Sequence, residues 1–304
     1  MTTTPAAATT TATATSSSSS ASRVWFVTGA GRGLGRAFTT AALDRGDRVA
    51  AAVRTTGTLD DLAAEHGDRL LVLPLDVTDR EAVTATVQRA AQHFGRLDIV
   101  VNNAGTMALG MIEEFDEAAA RAQFDVNFFG ALWVSQAVLP VLRAQGSGHI
   151  LQISSIGALG GHPSTGLYSA SKFALEGMSE ALAQEAAAFG IRLTIVEPGG
   201  YWTNIYKSMT MAEQLPAYDA LRAQLAEHAG ESNDSLPHLA AEAVLKLVDS
   251  DDPPLRLLLG SAVFDYALDS TRRRAEAWQA WEEVSRAAEK AVPMPEDYLE
   301  STDA

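Results

Sequence analysis

Apolar residues in this chain come in short, near-continuous runs separated by longer amphipathic stretches. The runs are RVWFVTG (23–29), DRVAAAVR (47–54), RLLVLPLDV (69–77), LDIVVNNAG (97–105), GHILQISS (148–155), IRLTIVEPG (191–199) and LRLLLG (255–260). Strict apolar–polar alternation would mark a sheet with one wet face. Unbroken runs suit strands covered on both faces. The stretches 34–45, 79–93, 116–144 and 168–189 read as helices, and 262–289 reads as one last helix.

Strands that alternate with helices imply a parallel sheet, and right-handed crossovers wind it in both directions. The predicted fold is therefore α/β, a Rossmann-type doubly wound sheet of about seven strands with helices on both faces. Two segments break the rhythm. Residues 1–22 are a Thr/Ala/Ser-rich low-complexity tail with nothing large to bury, read as disordered. Residues 200–240 hold Tyr201, Trp202, Tyr206, Met209, Met211, Leu215 and Tyr218 without a strand pattern. An insertion after the sixth strand lies at the ligand-binding edge of such a sheet, so a substrate lid is expected there. With no repeat or linker, residues 23–304 read as one domain carrying a C-terminal helical extension over 262–304.

Composition narrows the function classes. The 304 residues carry a formal net charge of −15, which argues against nucleic acid and anionic membrane as partners. With no cysteine there is no disulfide or thiolate chemistry, and the six histidines lack ligand spacing, so no metal site is expected. No apolar run approaches the ~18 residues of a membrane span. The N-terminus lacks the basic and apolar regions of a leader. A cytoplasmic protein is the expectation.

Candidate chemistry begins at TGAGRGLGR (28–36), between a predicted strand and a predicted helix. The loop runs through Gly29, Gly31, Arg32, Gly33, Leu34 and Gly35. Glycines permit a tight turn and close backbone approach to a pyrophosphate, and the helix N-terminus supplies free N–H groups. Dinucleotide binding is expected. A binder of the non-phosphorylated dinucleotide usually ends its second strand with an acid on the ribose 2′-hydroxyl. Here Val53 takes that place, followed by Arg54, and Arg32 lies in the loop itself. Two guanidiniums and no acid fit a 2′-phosphate, hence NADP(H). Asp76 and Val77 after the third strand, and Asn103, Ala104 and Gly105 after the fourth, sit where adenine and ribose would lie, although each also suits a plain turn.

Further along, YSASK (168–172) puts Tyr168 and Lys172 four apart, on one helical face. Such a pair means little alone. It gains meaning from Ser155, thirteen residues upstream at a strand end, and from Asn127, a poor helix-interior residue placed among Val126, Phe128 and Phe129. Together TGAGRGLG, NNAG, Asn127, Ser155, YSASK and PGGYWT (198–203) stand in the order found in the short-chain dehydrogenases/reductases. The chain resembles that family, in its NADP-preferring branch, over roughly residues 23–260. The resemblance implies Asn127, Ser155, Tyr168 and Lys172 as a catalytic tetrad. It also implies that Thr203 and the backbone near Pro198 and Gly199 hold the nicotinamide. A homodimer or homotetramer paired through helices 116–144 and 168–189 is implied as well.

A free phenol has a pKa of about 10, too high for a base at neutral pH. Each unit of lowering needs about 1.4 kcal/mol of preferential phenolate stabilisation, which Lys172 and the positive charge of an oxidised nicotinamide are expected to supply together. Ser155 would polarise a carbonyl oxygen. Neighbouring Ser154 faces the other way and is expected to bond backbone locally. Asn127 would order a water beside Lys172. His162 is a lesser candidate at the substrate mouth, with Tyr201, Trp202 and Tyr206; His149 reads as structural, and the glutamates at 113–114 and 282–283 as solvated helix faces. The aromatic and methionine content of the lid suggests a lipophilic or aromatic substrate. The expected activity is NADP(H)-dependent interconversion of a small-molecule ketone or aldehyde and an alcohol. A tailoring reaction without net redox, and a non-catalytic NADP sensor, are the alternatives.

Overall fold

A computed structural model describes residues 22–203, 205–228 and 234–294. The strands are β1 (Val24–Thr28), β2 (Arg48–Val53), β3 (Leu70–Pro74), β4 (Ile99–Asn102), β5 (Ala108–Leu109), β6 (Gly148–Ile153), β7 (Ile191–Pro198), β8 (Thr210–Met211) and β9 (Arg256–Leu259). Seven of them form a wholly parallel sheet in the order β3-β2-β1-β4-β6-β7-β9. The chain reverses its direction of winding between β1 and β4, the switch point where open α/β sheets bind ligands.

The helices are α1 (Gly33–Asp44), α2 (Asp60–His66), α3 (Arg80–Phe94), α4 (Glu117–Phe124), α5 (Gly130–Gln145), α6 (Gly166–Ala187), α7 (Ile205–Ser208), α8 (Asp219–His228), α9 (Pro237–Asp249), α10 (Ser261–Ala280) and α11 (Glu282–Ala287). Side chains alternate across each strand, so the apolar runs feed two cores. Trp25, Val27, Val49 and Ala51 pack with Phe38 and Leu43 of α1 and Val244 and Val248 of α9. Val24, Phe26, Ala50 and Ile150 pack on the other face with Val83 and Val87 of α3, Val134 and Val138 of α5, and Leu182 of α6. Runs buried on both faces are the reason periodicity alone located the sheet.

The departures are local. The third predicted strand stops at Pro74, because Asp76 turns the chain by accepting from the Thr78 amide at 3.0 Å. The predicted helix 116–144 is broken: α4 and α5 flank a π turn over Asp125–Phe129. By length and apolarity the continuous stretch Glu117–Gln145 could cross a membrane, contrary to the reading of the runs, yet Val134, Val138 and Leu142 lie fully buried in the protein core. The last predicted helix divides at Trp281 into α10 and α11. Segment 200–240, expected as a lid, contains a short strand that its sequence did not signal, β8, paired in parallel with β5. The tail 1–21 and residues 295–304 lie outside the described residues.

His149 is structural, as expected. It is fully buried, and its Nε2 lies 3.0 Å from Thr194 Oγ1. Burial, aided by the charges of Arg192 and Arg23, pushes its pKa down from 6.5 to about 3. The unfolded chain therefore takes up a proton below pH 6.5 that the folded chain refuses. The stability held above that pH is lost toward pH 3 at up to about 1.4 kcal/mol per pH unit. His149→Asn is expected to flatten the fall in denaturation midpoint between pH 6.5 and 4.5. An unchanged slope in urea titrations at both pH values would count against this assignment.

Candidate active site

The glycine loop leaves β1 at Thr28 and enters α1 at Gly33. Gly29 and Gly33 adopt φ values of 65° and 55°, which side chains resist. A Cβ on Gly35 would overlap the Gly29 carbonyl and the Asn103 amide, and one on Gly31 would overlap Thr58 Oγ1. Arg32 is the N-cap of α1 in extended conformation, with no side-chain cap, and the first turn of α1 holds no acidic residue. The first N–H groups of this helix are thus left to an external anion. This cradle fits a dinucleotide pyrophosphate.

Around the loop, Thr203 lies against Gly33: a Cβ placed there would sit 3.2 Å from Thr203 Cβ. Arg32 Nη2 reaches Ser208 Oγ at 3.3 Å, and Arg54 is exposed at the end of β2, near enough to Asp76 for its charge to lower that carboxyl. Backbone hydrogen bonding from Thr78 is the larger cause of that lowering, and it occupies one of the oxygens expected to meet adenine. Val77 is buried against Gly130. Asn103 is a clamp rather than an open ligand: its amide donates to the Thr28 and Gly29 carbonyls at 2.9 and 3.3 Å. Thr28 Oγ1 accepts from the Asn103 and Ala104 amides, each at 3.0 Å, tying the end of β4 to the loop. Pro198 closes β7, and the Gly199 amide donates to Leu259 at 3.2 Å.

The four residues of the implied tetrad meet at the ends of β6 and α6. Ser155 follows β6 and is buried; its hydroxyl oxygen accepts from the Gly157 amide at 3.1 Å and lies close enough to the Tyr168 phenol to act on its pKa. The Tyr168 ring is half-buried, and Lys172 Nζ lies 5.8 Å from its centroid. Lys172 is buried and donates to the Ile153 carbonyl at 2.8 Å. Asn127 sits in the π turn, which explains an Asn within a helical stretch. Its amide donates to Thr106 O and Ser171 Oγ at 3.0 Å each, and its oxygen accepts from the Thr106 amide at 2.8 Å. A Cβ on Gly105 would sit 3.5 Å from Asn127 Oδ1 and 3.8 Å from Lys172 Nζ. Segment 103–105 therefore links the glycine loop to the tetrad.

The electrostatics differ from expectation. Burial pushes the Tyr168 phenol up, and the neighbouring Ser155 hydroxyl only partly offsets it. The same desolvation brings Lys172 down to about 8, against the pull of Glu176. The cation one turn away, with the oxidised nicotinamide, was expected to lower the phenol; in the protein alone, desolvation of the phenolate is the larger effect. Tyr168 is a neutral acid at neutral pH. Ser154 also departs: its hydroxyl donates to the Glu176 carboxylate at 2.5 Å, not to local backbone.

At the mouth, Trp202 is 56 % exposed, while Tyr201 is only 7 % exposed and belongs to the core beside α9. The backbone around it is held by bonds between Trp202 and Ser235 and between Ser235 and Gly200, so Tyr201 is structural and not a substrate wall. The side chain of Tyr206 lies outside the described residues. His162 is exposed and meets the Tyr266 ring at 5.3 Å between centroids. Glu114 is not solvated: its side chain is 1 % exposed. The Leu215 amide, then the Met111 amide and the Arg222 guanidinium, hold its carboxyl below the usual range. Glu114 accepts from Leu215 at 2.8 Å and from Arg222 at 2.7 Å, latching the lid to the loop after β4. Glu282 and Glu283 are exposed, as read. Thr58, Thr106, Glu114 and Ser171 had no sequence signal of their own.

Comparison with known proteins agrees with this geometry. Residues 23–214 match the family model described as short chain dehydrogenase. Oxidoreductase BOA17 of Botryotinia fuckeliana is 39 % identical over 272 residues, covering 88 % of this chain and 99 % of that protein. The crystal structure of a short-chain dehydrogenase from Streptomyces avermitilis has a TM-score of 0.83 and 38 % identity, covering 89 % of this chain and 100 % of the other. An alcohol dehydrogenase from Thermococcus sibiricus, complexed with 5-hydroxy-NADP, has a TM-score of 0.67 and 26 % identity, covering 78 % of this chain and 95 % of the other. With the seven-stranded parallel sheet, the glycine loop and the Ser155–Tyr168–Lys172 cluster in place, this chain is an oxidoreductase-family protein, a member of the short-chain dehydrogenases.

Proposed function

We propose that the protein is an NADP(H)-dependent oxidoreductase that interconverts a lipophilic or aromatic ketone or aldehyde with its alcohol. The observation that carries this reading is the convergence of the Tyr168 phenol, the Ser155 hydroxyl and the Lys172 ammonium beside an uncapped helix N-terminus. The NADP-complexed Thermococcus alcohol dehydrogenase is consistent with the cofactor and with the chemistry.

The glycine loop and the α1 amides would hold the pyrophosphate, and Arg54 and Arg32 would pair with the 2′-phosphate. A bound nicotinamide dinucleotide supplies the hydride in reduction and accepts it in oxidation. Ser155 donates a hydrogen bond to the substrate oxygen and fixes its position. Tyr168, kept neutral by burial, donates its proton to that oxygen as negative charge develops there. Lys172 places positive charge beside the phenolate that forms. Asn127 holds Thr106 and Ser171 around Lys172, and one lone pair of its oxygen beyond the Thr106 bond serves to order a water. Oxidation reverses each transfer. A neutral Tyr168 and a 2′-phosphate site both favour reduction.

The test is NADPH oxidation against ketones and aldehydes graded in size and polarity, with product mass analysis. Turnover that rises with apolar bulk is expected. A product whose mass changes without NADPH consumption, or NADPH binding with no turnover across the panel, would sink the reading.

A further inference from the structure

Beneath the Tyr168–Lys172 pair lies a second set of buried ionisable groups that the proposed reaction does not use. Tyr168, Lys172 and Glu176 follow one another at four-residue spacing along one face of α6. Glu176 is 6 % exposed and Glu197, on β7, is fully buried. Arg256 of β9 reaches Glu176 and Glu197 at 3.1 Å each and the half-exposed Glu180 at 2.6 Å. Ser154, between β6 and Ser155, completes the set through its 2.5 Å bond to Glu176.

The charges here do not balance. One guanidinium faces three carboxyls, two of them buried, and two buried carboxylates cannot both stay ionised at such close range without heavy cost. Glu197 has an oxygen with no hydrogen-bond partner, so Arg256 on its other oxygen is what stabilises its anion. Its pKa is pushed up to about 7, first by burial and then by the charge of Glu176, with Arg256 opposing. Glu176, by contrast, holds a hydroxyl donor and a guanidinium, the surroundings of an anion. It uses its oxygens on Ser154 and Arg256 rather than on Lys172, whose ammonium points to the carbonyl of Ile153, the residue before Ser154. Carboxylate and ammonium therefore bracket the end of β6 without touching.

We infer that Glu176 is a positioning residue for the active site: a fixed, buried counter-charge that keeps Lys172 cationic, made possible by a proton resident on Glu197. The role rests on the function proposed above, because only a reaction passing through a Tyr168 phenolate requires that cation. The electrostatics can be tested without it. Lys172 is lowered to about 8 by desolvation, and Glu176 is the group that works against the fall. The groups facing this pair are Tyr168 and Glu180 on the same helix, Asn127 at the π turn, Ser154 after β6, Glu197 on β7 and Arg256 on β9.

The chain has four lysines, so nitrogen-15 lysine labelling gives few side-chain signals, and loss of one in Lys172→Met assigns Lys172. In Glu176→Gln the Lys172 titration is expected to fall by roughly one unit, and in Glu180→Gln, which removes the half-exposed carboxyl of the same cluster, by less than about 0.3. An unmoved Lys172 in Glu176→Gln overturns the inference, as does an equal shift in both variants. Should Glu176→Gln fail to fold, isotope-edited infrared spectra of glutamate-labelled wild type decide. A protonated-carboxyl band is expected at pH 6, and its absence overturns the assignment. Neither readout needs substrate. Shifts as expected with no carbonyl turnover would condemn the proposed function and leave the counter-charge standing.

Discussion

Tyr168→Phe is expected to lower the turnover of any accepted carbonyl by about 10²–10⁴-fold while NADPH still binds. Phe keeps the ring, its packing beside Ser155 and its place on α6, so the loss isolates the hydroxyl. Among the described residues, the phenol is the acid that lies beside Ser155, where the proposed substrate oxygen would be held. Lys172 is committed to the Ile153 carbonyl, and His162 is an exposed loop residue paired with Tyr266. Tryptophan or NADPH fluorescence titration should return a dissociation constant within about threefold of wild type. A variant that keeps near-full activity would show that the proton comes from elsewhere. A variant that loses NADPH binding along with turnover would show that the ring orders the cofactor site instead.

Arg54→Ala is expected to cut the preference for NADPH over NADH by about 10–100-fold. Charge-assisted hydrogen bonds of this kind contribute about 1.5–3 kcal/mol each, and the phosphate is the feature that the two cofactors do not share. The change should fall on kcat/KM for NADPH, with NADH little affected. Arg54 is exposed and stands just past the buried Val53, so its truncation should leave the fold intact. Arg32 would be a weaker second partner, since it also reaches Ser208. Equal efficiency with both cofactors in wild type, or an unchanged ratio in Arg54→Ala, would remove the 2′-phosphate reading.

The sheet was legible because its strands are buried on both faces. Runs such as IRLTIVEP announce that through composition alone, and each of the seven lies where its run is. The glycine loop and the Tyr168–Lys172 spacing were legible for a related reason: both are local, one a turn and the other a helical repeat. What stayed hidden depends on contacts between distant segments. Asn127 looked misplaced in a helix, but the π turn that accommodates it is fixed by Thr106 and Ser171, twenty-one and forty-four residues away. Glu114 looked like surface because its partners, Leu215 and Arg222, are about a hundred residues on. Tyr201 read as a ligand-facing aromatic because nothing local shows that the chain turns it into the core beside α9. The upward push on Tyr168 in the protein alone was not legible because desolvation is set by what the folded chain packs around a group.

The pairing of β5 with β8, together with the Glu114 latch, bears on how substrate range can be altered. Two segments that flank the mouth, one after β4 and one after β7, share main-chain hydrogen bonds and a buried ion pair. They constitute one cassette in two pieces. Grafting residues 200–228 from a relative would strand Glu114 without Leu215 or Arg222 and leave the edge of β5 unpaired. An exchange that keeps these contacts carries residues 106–116 together with 200–228, so the two loops are expected to change as a pair.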